Sequence, residues 1–104
     1  IIALAAPVAA QDFDAGLEAI ERGDYAAALR EFRKAAEQGH APAQINLADM
    51  HFGVHKHSEA ANWYRKAADQ GDARAELSLG TMYTNGTGVP QDSGNVVPLR
   101  EPAQ

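Results

Sequence analysis

Apolar residues recur along the chain at helical spacing and are cut into short runs by glycine and proline. Phe13, Leu17 and Ile20 fall at i, i+4 and i+7, the stripe of one helix. Asp12 or Asp14 is placed to cap its start and Gly23 to end it. Asp24 caps the next helix, predicted from about Tyr25 to Gln38, with Ala28, Phe32, Ala35 and Ala36 on one face. Gly39 stops it. Pro42 suits the first turn of a third helix, striped by Ala43, Leu47, Met50 and Val54. Ser58 starts a fourth, with Ala60, Trp63, Tyr64, Ala67 and Ala68 facing inward and Gln70-Gly71 at its end. Asp72 caps a fifth, whose stripe is Ala75, Leu79, Met82 and Tyr83 and whose stop is Asn85-Gly86.

The second and fourth helices are copies. The run from Phe32 to Gln44 returns from Tyr64 to Glu76, 32 residues later, with eight of thirteen positions identical. A fixed period in this range marks an array of stacked helix pairs, in which each unit buries its faces against its neighbours. The expected fold is an all-α solenoid of antiparallel helix pairs, about two and a half repeats long. The units are read as 12–41, 42–73 and an incomplete 74–92, followed by an irregular tail at 93–104. Ala35/Ala36 and Ala67/Ala68 let helices approach closely, and Phe32 and Tyr64 are equivalent rings that fill the space between pairs. Without a closing helix the stripe on the fifth helix is partly uncovered, which invites self-association.

Composition narrows the function. The net charge is −5, with no basic stripe for nucleic acid or an anionic membrane surface. The chain has no cysteine, which excludes disulfides, thiol nucleophiles and thiolate metal sites. Residues 1–10 are apolar, uncharged and too short to span a bilayer. They end in Val8-Ala9-Ala10 before polar Gln11-Asp12, which reads as the remnant of a secretory signal peptide cut after Ala10. The competing reading is an Ala-rich first helix. Export to the periplasm or the medium is the expectation that follows from the first.

Three groups of residues carry the family resemblance. They are Ala43-Gln44-Ile45-Asn46-Leu47-Ala48 with Met50; Ala60, then Trp63-Tyr64-Arg65-Lys66-Ala67-Ala68 and Gln70-Gly71-Asp72-Ala73; and Leu79-Gly80 with Met82-Tyr83, Asn85-Gly86 and Gly88-Val89-Pro90-Gln91-Asp92. Together they resemble the Sel-one-like repeat, a relative of the tetratricopeptide repeat. The resemblance runs from about Asp14 to Asp92 and implies a right-handed α-solenoid used for protein–protein interaction, often in exported bacterial proteins. Three departures stand out. The loop after the third helix lacks the Gly-x-Gly-Val-Pro-x-Asp element. His51 stands where tyrosine is usual. No Ala-x-x-Trp-Tyr segment follows Asp92, as a clipped gene, a frameshifted end or an improvised cap would each explain.

The resemblance also points to site residues. Asn46 stands where such repeats often face a concave groove and bond a bound peptide's backbone; Ser78 and Asp14 are its equivalents. Gln44, Asp49 and Thr81 neighbour it on the first helices of the units. Protein or peptide partners are therefore expected, with no cofactor. The weak alternative is a metal-binding or hydrolytic protein built on His51, His55 and His57, with Glu59 nearby. His51 and His55 are four apart, but Gly53 interrupts that stretch and no His-Glu-x-x-His pattern exists. Trp63 reads as core. The repeated Arg33-Lys34 and Arg65-Lys66 pairs suit the C-terminal half of a helix. Ser58, Ser78 and Ser93 lack nucleophile context, so no catalytic residue is assigned.

Overall fold

The computed structural model describes residues 8–88. Five helices follow one another: α1 (Val8–Glu21), α2 (Tyr25–Glu37), α3 (Ala41–Gly53), α4 (His57–Asp69) and α5 (Ala73–Asn85). Among the described residues there is no strand. Each helix packs on the next in the chain, and all four connections are three residues long, which makes neighbours antiparallel.

The turns repeat in detail. Gly39 and Gly71 have φ of 92° and 91°, a left-handed conformation that costs glycine little. In both turns the chain closes alike: His40 N–H donates to Ala35 and Asp72 N–H to Ala67, at 3.2 and 3.3 Å. These are Schellman-type stops that satisfy the last carbonyls of α2 and α4. The predicted caps at Asp24 and Asp72 are formed: Asp24 accepts from Ala27 N–H at 3.1 Å, and Asp72 from Arg74 and Ala75 N–H at 2.9 and 3.2 Å.

Two alanine-rich cores are stacked along the array. The first joins α1, α2 and α3 around Phe32 and Leu47, with Ala19, Ala28, Ala35 and Ala43. The second joins α3, α4 and α5 around Tyr64, with Ile45, Ala48, Ala60, Ala67, Ala75 and Met82. Trp63 packs against both, so its core assignment holds and it ties the two units together. Phe32 and Tyr64 are both buried, as their equivalence requires.

Several expectations are corrected. Helix α1 already starts by Val8, so Asp12 and Asp14 lie inside it and do not cap it, and it runs unbroken through Ala10-Gln11. Leu17 is 39% exposed; the inward stripe instead passes through Phe13, Gly16, Ala19 and Ile20. The two stripes share their ends, so the periodicity allowed either, and burial selects the one carrying a glycine. A Cβ on Gly16 would lie 2.6 Å from the Phe32 ring, so this ring fits only because α1 lacks a side chain there. Val54 is an exposed C-cap rather than part of the α3 stripe, and Gly53 remains helical. Helix α4 begins at His57 with Lys56 as N-cap; Ser58 does not cap it and donates instead to the Gly88 carbonyl at 3.3 Å. The expectations for residues 1–7, for Val89 to Asp92 and for the tail at 93–104 lie outside the described residues.

Candidate functional site

The site is a surface groove of about 330 Å3 between the end of α3 and the exposed side of α5. Phe52 supplies one wall, Leu77, Ser78 and Thr81 the other, and Tyr64 and Met82 the floor. Its rigidity comes from below. Tyr64 is buried in the second core, and its hydroxyl donates to the Asp49 carboxylate. Burial, and then that carboxylate, push the phenol well above its ordinary pKa, so it stays a neutral donor; Ser78 acts weakly in the opposite sense. The walls are soft and apolar. Leu77 is 73% exposed and Phe52 is also exposed, an arrangement ready to take an apolar side chain.

The five residues expected at a partner surface separate into groups. Ser78 and Thr81 line the groove, and Asp49 holds its floor through Tyr64. Thr81 Oγ1 donates to the Leu77 carbonyl at 3.0 Å, which leaves its methyl group as the side chain's free surface. Asn46 is half-buried on α3 and is not part of the groove lining. Gln44 is turned into the array rather than toward the groove. It is buried, its amide donates to the Ala36 carbonyl at 3.1 Å, and its oxygen accepts from Gln70 at 3.0 Å. The first turn of α3 abuts the last turn of α2, so the Gln44 amide adds a second donor to a carbonyl that already accepts from Gly39 N–H.

This clasp repeats. Gln70 also donates to the Gly39 carbonyl, and Gln38, 32 positions earlier, donates to Asp12, the unit-one equivalent of Gln44. The signal that would have found it is the Gln-Gly pair recurring at the repeat period. Repeat register also explains Leu17, which shares a column with Asp49 and Thr81, all three exposed. An apolar side chain at that surface position was missed because it was read as core.

The recurring Arg-Lys pairs are structural. Arg65 donates to the Tyr83 hydroxyl at 2.6 Å, and Lys66 lies 5.7 Å from the Trp63 ring centroid. Lys34 pairs with Glu31 at 2.9 Å and Asp12 at 3.8 Å, and the Glu31 carboxylate raises its pKa.

The three histidines do not converge. His51 is buried, with Nδ1 3.6 Å from Glu59. His55 lies beyond the end of α3 at φ 65°, so its four-residue spacing from His51 does not place both on one helix face. Its ring meets His57 edge-on at 5.6 Å, and His57 stacks toward Phe52 at 4.6 Å. Among the described residues no group of three or more His, Asp or Glu is placed to hold a metal ion. None of the described helices is long and apolar enough to cross a membrane.

The sequence profile of the Sel1 repeat matches residues 13–40, 41–72 and 73–94. These boundaries fall within a few residues of those expected from the period. No curated protein matches the chain.

Proposed function

The chain belongs to the Sel1 repeat family, whose repeats are generally protein–protein interaction modules and typically non-catalytic, and from this premise we propose that it is an exported adaptor holding a protein partner in the α3–α5 groove. The observation that supports the groove is Leu77. It sits 73% exposed beside an exposed Phe52, over a floor fastened by the Tyr64–Asp49 hydrogen bond. Covering a leucine side chain is worth about 1.5–3 kcal/mol. The occupant this chemistry fits is a peptide segment presenting an apolar side chain, with Ser78 at hand to orient it.

Selection of ligands from a displayed peptide library tests the reading. Selected peptides should carry an apolar anchor and lose at least tenfold in affinity on Leu77→Asp, while Arg22→Ala on the α1–α2 turn leaves them unchanged. Peptides indifferent to Leu77→Asp would remove the groove as the site. A second copy of the chain competes for the same residue, because in repeat register Leu77 stands where Ile45 is packed. Sedimentation that shows dimers abolished by Leu77→Asp would favour that occupant.

Export rests on the small-residue run before Gln11. Cleavage there would place Asp12 and Asp14 in the first turn of the shortened helix, where carboxylates suit the dipole. The mass of the protein recovered from a periplasmic fraction tests this; an intact N-terminus would overturn it.

A further inference from the structure

His51 is 4% exposed, near the end of α3. Its Nδ1 lies 3.6 Å from the Glu59 carboxylate on α4, and its Nε2 is buried with no hydrogen-bond partner among the described residues. A buried polar atom left unpaired is costly and calls for a reason. The repeat supplies one. The equivalent of His51 in the third unit is Tyr83, whose hydroxyl accepts from Arg65. The equivalent of Arg65 in the first unit is Arg33, on α2. The junction of the first and second units therefore keeps the guanidinium, on Arg33, but carries an imidazole where the next junction carries a phenol.

We propose that His51 is a pH-responsive element set into the junction of α2, α3 and α4: neutral, it joins the units; protonated, it loosens them. The charged groups around it are Glu59 from α4, Arg33 from α2 and Lys56 from the α3–α4 turn. Glu59 alone favours the imidazolium. Burial opposes it most strongly, and the two cations oppose it further, so His51 is held below its ordinary pKa of 6.5. The tautomer this environment suits carries its proton on Nδ1, toward Glu59, and leaves Nε2 as an acceptor. A second proton would go on Nε2, inside the core and on the side of the imidazole away from Glu59. The His51 carbonyl also accepts from Val54 and Lys56 N–H at 3.2 and 2.8 Å, so displacement of this residue frees the whole turn.

The sign follows from linkage. Between the lowered folded value and 6.5 the unfolded chain takes up a proton that the folded chain refuses. Stability is full above 6.5, falls as pH drops through that range, and levels off below the folded value. This holds whether or not the groove binds a peptide.

Thermal melts at pH 7.5 and 5.5 test it, on the wild type, on His51→Tyr and on His55→Gln/His57→Gln. The wild type and the double variant should melt lower at pH 5.5 than at pH 7.5, by matching amounts. His51→Tyr, which restores the pairing seen at Tyr83, should lose markedly less. An equal acid loss in His51→Tyr would overturn the proposal. Should that variant fail to fold, an NMR titration of the wild-type imidazole signals decides: His51 must remain neutral below 6.5, and titration at or above that value would refute the assignment.

Discussion

Units two and three start from nearly the same helix, and they end differently. Ile45 on α3 is 4% exposed; Leu77, its counterpart on α5, is 73% exposed. Gln44 is buried in a clasp, whereas Glu76, its counterpart, is exposed. Helix α3 is covered by α2 on one side and α4 on the other; α5 packs chiefly on α4, and among the described residues no further helix follows it. A position in this array is core or surface according to the helix that follows it, and only secondarily according to its own side chain. Among the described residues, the edge of unit three that no helix covers is the edge that exposes an apolar side chain.

The largest effect should separate these counterparts directly. Ile45→Ala is expected to cost about 2–5 kcal/mol, since it opens a cavity in the second core. Leu77→Ala should stay within about 0.5 kcal/mol, as surface substitutions do. Urea midpoints measure both; equal costs would mean that α5 is covered after all. A glycine pair sharpens the same point. Gly16→Ala should destabilise by about 1–3 kcal/mol, because the new methyl meets the Phe32 ring. Gly53→Ala, with nothing within 4 Å, should instead stabilise by up to about 1 kcal/mol.

The clasp ranks next. Gln44→Ala removes one bond to the Ala36 carbonyl and one to the Gln70 amide, each of which keeps another partner, and should cost about 1 kcal/mol, against little for Glu76→Ala. Hydrogen exchange at the α2–α3 turn would report it locally. The smallest effect is a gain. His55 occupies the left-handed position that Gly23 holds in unit one, so His55→Gly should raise stability by about 1 kcal/mol. A loss would show that the His55–His57 ring contact outweighs backbone strain.

Some of this was plain in the letters. The Gln-Gly turns, the Asp24 and Asp72 caps and the paired rings Phe32 and Tyr64 were legible because each depends on local chemistry repeated at a fixed interval. Leu17, Val54 and Gln44 were misread for the opposite reason. Helical spacing marks apolar residues as core and polar ones as surface, but burial in a stack depends on which neighbour lies across the seam. The candidate site was half legible: Asp49, Ser78 and Thr81 were named, while the apolar residues Phe52 and Leu77 that make the groove were not. Exposed apolar side chains look like core in the sequence; among the described residues no helix lies over these two.

The sequence by itself determined the unit: two helices of thirteen or so residues, their stops, their caps and the ring that wedges between pairs. Those are short-range matters, settled by φ/ψ preference, hydrogen-bond closure and periodicity within one turn or one repeat. The tertiary structure alone decided which equivalent positions are covered. It seats Phe32 on Gly16, turns Gln44 into a clasp, buries His51 beside the Glu59 carboxylate, and leaves Leu77 in the open. Burial is a property of pairs of surfaces, and a single helix does not encode what will lie against it.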